Sequence, residues 1–295
     1  MIQGNHMRKT RVLLLSFVSI FFLAARADEF RFPLKSGSVR FAAIGDMGTG
    51  DAAQYEVAQR MVAARQNFPF EFVIMLGDNI YGGSTPRDFE KKFEVPYKPL
   101  LDAGVKFYAS LGNHDNPNER FYKLFNMNEA TYYTFKKGNV RFYVLDSNYM
   151  DAKQLEWLQK QLQDAGEGDW KICYFHHPLY SSGKSHGSSI ELRSLIEPLF
   201  VKYGVDAVFS GHDHIYERVK PEKGIYYFVE GSSGQLRAGD LAKSSITDDG
   251  FDSDRTFMMI EITGDELYFQ TLSRAGNQVD SGVLRRPVRT PEPTK

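Results

Sequence analysis

The sequence predicts a layered α/β domain in which a second sheet packs against the first. Three observations lead there. Apolar runs that read as strands alternate with helical stretches as far as residue 210. Five of those runs end in polar clusters: Asp46, Asp78, Asn113-His114, His176-His177 and His212-Asp213-His214. The carboxyl ends of strands in an alternating β/α sheet are where such folds assemble sites. Beyond residue 225 the apolar runs read as antiparallel strands with no helix between them, and the strand-rich second half supplies the second sheet.

In chain order, residues 39–44 are a strand stopped at Gly45-Asp46, and 52–65 a helix with Val57, Met61 and Val62 on one side. Residues 70–76 form a near-continuous apolar strand ending at Gly77-Asp78. Residues 86–101 are mostly helix, interrupted near Pro96, which lacks an amide hydrogen. Residues 105–111 form the strand before Gly112-Asn113-His114-Asp115, and 118–125 a short helix. Residues 131–135 and 140–145 pair as a hairpin across Lys137-Gly138-Asn139. Residues 154–163 are a helix amphipathic on Leu155, Leu158 and Leu162. The strand 171–175 runs into His176-His177-Pro178, the helix 189–203 kinks at Pro198, and the strand 206–209 runs into Gly211. Residues 225–229, 256–262 and 266–272 close the chain as strands.

Ahead of the domain, residues 7–27 read as a secretory leader: basic Arg8-Lys9-Thr10-Arg11, an apolar run over 12–25, then Ala25-Arg26-Ala27 before a cleavage site. A run this short with that ending favours export, to the periplasm or the medium, over a membrane anchor. Residues 1–6 are set aside as a vector remnant or an upstream start. The expected organisation is a leader over 1–27, a single domain over 28–290 and, within a polar tail that begins near 287, a disordered end over 291–295. Residues 1–27 carry four basic and no acidic side chains, so their removal takes the net charge from −1 to −5. That excludes a general nucleic-acid binder. Cys173 is the one cysteine, which rules out an intrachain disulfide and reads as a core thiol.

Apart from His6 in the leader, every histidine (His114, His176, His177, His186, His212 and His214) falls in or just after a strand-end cluster. In an extended segment His212 and His214 point to the same side. Imidazoles accompanied by carboxylates, an amide and a phenol, with no cysteine, suit iron, zinc or manganese rather than copper(I) or an iron–sulfur cluster. The candidate ligands are Asp46, Asp78, Tyr81, Asn113, His176, His212 and His214. They are too many for one ion with an open position and suit two ions sharing a bridging carboxylate.

Gly45-Asp46-Met47-Gly48, Gly77-Asp78-Asn79-Ile80-Tyr81, Gly112-Asn113-His114-Asp115, the His176 strand end and Gly211-His212-Asp213-His214 resemble the five ordered motifs of the calcineurin-like metallophosphoesterases. More narrowly, they resemble those of the purple acid phosphatases, over residues 39–218. The wider family has a histidine two residues after the first aspartate, where this chain has Gly48; the purple branch has a tyrosine three residues after the second, where this chain has Tyr81. The resemblance implies a four-layer α/β/β/α sandwich of two mixed sheets flanked by helices. It implies that Asp46, Tyr81 and His214 hold iron(III), that Asn113, His176 and His212 hold iron(II), zinc or manganese, and that Asp78 bridges them. The family's ligand histidine sits two before a proline, which selects His176, before Pro178, over His177; His177 is expected to point the other way. His114 is expected over the substrate and His186 facing the phosphate, either of them able, when protonated, to neutralise the leaving oxygen. Asp115 is expected to orient His114, and Asp146 and Glu217 to be structural polar groups near the rim.

The activity so implied is an exported acid phosphatase that hydrolyses phosphate monoesters, with metal-bound hydroxide as nucleophile. Its partners would be small phosphate esters, phosphoproteins or nucleotides, with no nucleic acid as a stable partner and no membrane association after cleavage near Ala27. The stretch of about ten residues between Ala27 and the first strand makes it the short form, similar to the tartrate-resistant acid phosphatases of animals. Residues 147–153 are too few for the protease-sensitive loop of the mammalian relatives, and Ile215-Tyr216-Glu217-Arg218 is closer to the long plant enzymes. Two other readings stay open. A di-zinc or di-manganese phosphodiesterase or nucleotidase has Gly48 and Tyr81 against it; a non-catalytic phosphate- or partner-binding protein has the complete candidate ligand set against it. Specificity is expected in the loops 179–188 and 231–254.

Overall fold

In the computed structural model, which describes Met1 and residues 30–166 and 168–286, two mixed sheets face each other. The leader (Met1 apart) and the tail expected from the sequence lie outside the described residues. The chain first alternates strand and helix: β1 (Val39–Ile44), α1 (Ala52–Arg65), β2 (Phe72–Leu76), α2 (Pro86–Phe89), a π-turn (Glu90–Glu94), α3 (Val95–Asp102) and β3 (Lys106–Ser110). It continues with β4 (Tyr133–Lys137), β5 (Val140–Val144), α4 (Ala152–Gln163), β6 (Trp170–Tyr174), α5 (Ile190–Tyr203) and β7 (Ala207–Ser210). The last described strands are β8 (Tyr216–Glu222), β9 (Ile225–Glu230), β10 (Thr247–Phe251), β11 (Thr256–Thr263), β12 (Glu266–Ser273) and β13 (Gln278–Arg285). One sheet runs β13-β12-β11-β1-β2-β3, the other β10-β8-β9-β7-β6-β5-β4.

The local sequence accounts for the helix ends. Asp51 and Asp151 accept the amides of Gln54 and Gln154 as N-caps of α1 and α4. Thr85 and Asp88 close a capping box around α2, and Gly204 ends α5 in the left-handed region at φ 68°. Pro96 falls in the first turn of α3, where its missing amide hydrogen costs nothing, so the chain turns there through the π-turn instead of breaking. The stretch 118–125 is two 3₁₀ turns, Pro117–Phe121 and Lys123–Phe125, rather than one helix; an Asn116–Glu119 capping box holds the first.

Phe41 of β1 lies 5.3 Å from the rings of both Phe72 and Phe142 and 6.3 Å from Phe209, so rings from the two sheets interlock between them. Burying each such ring contributes about 1.5–3 kcal/mol. On the outer face of the first sheet, α1 and α3 bury Val57, Met61 and Tyr97. On the outer face of the second, α4 and α5 cover Cys173, Phe175 and Val208 with Leu158, Leu162, Ile196 and Phe200. The result is the helix/sheet/sheet/helix layering.

The division of strands between sheets differs from the sequence expectation. The second sheet is built from β4 to β10, in mid-chain, and β11, β12 and β13 return to the first sheet beside β1. The reason is burial: β11 is covered along nearly its whole length and can only be a central strand. No helix among the described residues is long and apolar enough to cross a membrane.

Candidate metal centre

The carboxyl ends of β1, β2, β3, β6 and β7 meet at one edge of the sandwich. Backbone hydrogen bonds clip the loops together there: Asp46 N to Gly77 O (3.0 Å), Gly48 N to Asp78 O (3.3 Å), Tyr81 N to Gly48 O (2.9 Å) and Gly211 N to His176 O (3.0 Å). Asp46, Asp78 and His212 sit at φ 54°, 52° and 71°. Left-handed backbone at non-glycine residues costs on the order of 1–3 kcal/mol each and persists where the surroundings over-determine it.

Asp46, Asp78 and His214 bring their ligand atoms within 4.8 Å of one another, with both carboxylates buried. Tyr81 completes this group, its hydroxyl 3.2 Å from Asp46 Oδ1 and 3.3 Å from His214 Nε2. Position 48 could not contribute: a side chain there would run into the backbone of Asn79. Asp78 reaches toward a second group as well. Its Oδ1 accepts from the His114 amide (2.9 Å) and lies 3.5 Å from His176 Nε2. His176 Nδ1 is 3.0 Å from the Leu76 carbonyl; a carbonyl only accepts, so this nitrogen carries the hydrogen and Nε2 of the neutral ring keeps its lone pair. That lone pair faces Asn113 Oδ1 at 3.0 Å and His212 Nδ1 at 3.1 Å.

Burial, then the Asp78 charge, raises the Asp46 pKa well above the usual carboxylate range. Burial, then Asp46 and Asp78, keeps the Tyr81 phenol protonated far beyond its ordinary range. The imidazoles go the other way. Burial followed by His177 holds His176 well below its ordinary value. Burial followed by His176 takes His212 to about 2, and burial followed by Arg237 takes His214 to about 4. In the second group the lone pair of His176 Nε2 thus faces the Asn113 oxygen, acceptor against acceptor, an arrangement that a cation stabilises and that is otherwise unfavourable. The donors present fit a pair of ions, one beside Asp46, Tyr81 and His214, the other beside Asn113, His176 and His212, with Asp78 facing both.

All seven candidate ligands therefore come together. His177 is where the structure departs from expectation: it does not point away. Its ring centroid is 4.4 Å from that of His212, and it joins His176 and His212 as a third nitrogen donor. Ser147 turns it there, accepting from the His177 amide at 3.1 Å while its hydroxyl lies 2.9 Å from Nδ1. His177 also lines a cavity of about 450 Å³ with Asn113, Asp146, Asn148 and Tyr149. Asp115 is not the partner of the His114 ring. It accepts from the amides of Asn79 (2.7 Å), Ile80 (3.0 Å) and Gly112 (2.8 Å), and so ties the loops after β2 and β3 together.

His114 and His186 stand exposed at the mouth, His114 4.9 Å from the Tyr81 ring and His186 4.1 Å from the His212 ring, centroid to centroid. Burial and then the Arg237 charge lower the His186 pKa. Its loop is held by Asp213, which accepts from Ser181 Oγ (2.5 Å) and the Gly187 amide (3.1 Å). Asp213 had no assigned role in the sequence. No signal in the sequence marks its direction, because the backbone at His212 is left-handed (φ 71°) and strand alternation does not apply there. Glu217 accepts from the Ser182 amide and Thr247 Oγ1 and is structural.

The family model for calcineurin-like phosphoesterases matches residues 39–216. The chain is 27% identical to tartrate-resistant acid phosphatase type 5 of Oryctolagus cuniculus, over 66% of this chain and 73% of that protein. It is 25% identical to purple acid phosphatase 7 of Arabidopsis thaliana, over 93% and 96%. Among solved structures it is similar to GAP50, the anchor in the inner membrane complex of Plasmodium (TM-score 0.77, 22% identity, 85% of this chain and 90% of that one). It is also similar to purple acid phosphatase PPD1 from yellow lupin, Lupinus luteus (TM-score 0.70, 20% identity, 86% and 55%). The family match contains the carboxylates, the phenol and the imidazoles assembled at this edge, and the chain belongs to the calcineurin-like phosphoesterases, with acid phosphatases among its relatives.

Proposed function

We propose that this chain is an acid phosphatase that hydrolyses phosphate monoesters at a pair of metal ions, iron(III) with iron(II), zinc or manganese. The observation that carries the reading is Tyr81, whose hydroxyl lies between Asp46 Oδ1 and His214 Nε2 while Gly48 has no room for a side chain. A phenolate with a carboxylate favours a trivalent ion. In this reading Asp46, Tyr81 and His214 hold the iron(III), Asn113, His176 and His212 the divalent ion, and Asp78 serves both. When bound, such a pair supplies Lewis acidity, polarising phosphoryl oxygens and acidifying water.

The chain's own residues do the rest. His114 and His186, exposed on either side of the clusters, contact the phosphoryl group, and one of them gives its proton to the leaving alcohol. The lowered His186 pKa means that its protonated form grows only in mild acid, which supports a working range below neutrality. The cavity lined by Asn113, Asp146, Tyr149 and His177 is suited to the leaving group. The substrates are small phosphate esters, including nucleotides and phosphoproteins, reached after export and removal of residues 1–27.

The test is hydrolysis of 4-nitrophenyl phosphate and bis(4-nitrophenyl) phosphate by the purified protein from about pH 4 to pH 9. Monoester turnover with an optimum below neutrality is expected. Preference for the diester with a neutral optimum would replace this reading with the di-zinc or di-manganese phosphodiesterase. Hydrolysis of neither would leave a binding protein.

A further inference from the structure

We propose that Arg237 binds the phosphoryl group and makes the site select monoesters over diesters, an inference that rests on reading the site as a phosphatase. The segment 231–242 is a strap laid across the candidate metal centre. One edge is bonded to the centre itself: Gly231 N to Ile215 O (3.1 Å), Ser233 N to Gly45 O (3.2 Å), Gln235 N to Asp46 O (3.0 Å) and Arg237 N to His214 O (3.0 Å). The other edge is bonded to the loop that carries His186: Lys184 N to Asp240 O (2.9 Å), Ala242 N to Ser182 O (2.9 Å) and Ser185 Oγ to Asp240 Oδ1 (2.7 Å). Arg237 is therefore fixed where the backbone of a candidate ligand meets the loop of a candidate catalytic histidine.

Arg218 and Arg274 are each paired with two carboxylates. The Arg237 side chain has no such partner among the described residues, and its Nη1 is buried with no hydrogen bond. Arg40 and Arg141 also have a buried guanidinium nitrogen without a hydrogen bond, but they lie near the amino ends of β1 and β5, away from the candidate metal centre. Buried donors are nearly always satisfied, so one that is not asks for a ligand. Its own amide is bonded to the carbonyl of His214 and its strap to the loop of His186, so the side chain springs from the rim of the space between those two histidines.

The chemistry of that space identifies the ligand. A guanidinium is always charged and presents parallel N–H groups that match phosphate oxygens. A monoester near neutrality carries three terminal oxygens and nearly two negative charges; a diester carries two oxygens and one charge. Groups at this edge that can meet phosphate oxygens already include His114, His186 and the cations that the paired ligand clusters would hold. A further rigid cation finds an unused oxygen and unneutralised charge on the monoester but not on the diester.

The experiment compares metal-loaded wild type, Arg237→Met and Arg237→Lys. Binding of inorganic phosphate is measured by calorimetry, and kcat/KM for 4-nitrophenyl phosphate and bis(4-nitrophenyl) phosphate by assay. Arg237→Met should weaken phosphate binding about 10- to 100-fold and lower the monoester-to-diester ratio of kcat/KM at least about tenfold, with the ion content unchanged. Arg237→Lys should recover part of the phosphate affinity. Equal loss on both esters, loss of ions, or unaltered phosphate binding would overturn the proposal. Phosphate binding is read without turnover. A wild type that binds phosphate through Arg237 yet hydrolyses nothing therefore refutes the phosphatase reading and the selectivity built on it, but leaves the Arg237–phosphate contact standing.

Discussion

Asp78 is the residue at which stability and function pull hardest against each other. It is buried, held at φ 52°, and its charge is the second cause, after burial, of the raised Asp46 pKa. Asp78→Asn keeps an oxygen for the His114 amide and tolerates left-handed backbone, but it removes one charge from a buried pair. Metal-depleted Asp78→Asn should therefore melt higher than metal-depleted wild type, by roughly 3–6 °C, while losing monoester hydrolysis. Calorimetry of the two depleted proteins checks this; a lower melting temperature would mean that Asp78 is a structural anchor and not a ligand under strain. The candidate ligands Asp46, Asp78, Asn113, His176 and His212 were legible in the sequence because each lies within three residues of the end of an apolar run, and strand ends fix position; Tyr81 and His214 lie five residues beyond theirs. Side-chain direction was less legible. His177 and Asp115 lie in the same clusters, but their orientation depends on Ser147 and on the amides of Asn79 and Ile80, which are distant in sequence.

At the scale of elements, α5 shows how a buried charge is secured away from the site. Glu197 accepts from Lys223 Nζ (2.6 Å) and Tyr180 Oη (2.6 Å), with Tyr227 Oη at 3.3 Å. Burial alone would raise its pKa; the Lys223 and Tyr180 hydrogen bonds together bring it below the ordinary value. A lowered carboxyl pKa contributes stability above the unfolded-state pKa, and that stability is lost as pH falls through the folded-state value. Glu197→Gln should lower the melting temperature by roughly 3–6 °C at neutral pH, and the gap to wild type should close in acid below the ordinary carboxylate range. A gap that does not vary with pH would assign Glu197 a packing role only. Elements with strong period or long apolar runs, such as α4 and β2, could be read from sequence. Two of the edge strands could not: β10 and β13 are only partly buried and carry Asp248, Asp249 and Asp280. They are held by pairing and by ion pairs from Arg218, not by an apolar pattern.

For the whole molecule, the decisive fact is that two sheets present strand ends to one edge. Asp46, Asp78 and Asn113 come from the first sheet, His176, His212 and His214 from the second. A site split this way is assembled by the sheet-to-sheet core, and rings such as Phe41, Phe142 and Phe209 set its spacing. Layering and alternation made the architecture legible. Which sheet each late strand joins depends on pairing between residues more than two hundred apart, as in Val39 with Ile262, and no local pattern encodes that. The proposed function depends most on what Tyr81 does within this assembly. The most direct measurement is the visible absorption spectrum of the iron-loaded protein beside that of Tyr81→Phe. A phenolate-to-iron(III) charge-transfer band should make the wild type violet and be absent from the variant; a colourless wild type with its iron bound would contradict the role of Tyr81 as a ligand.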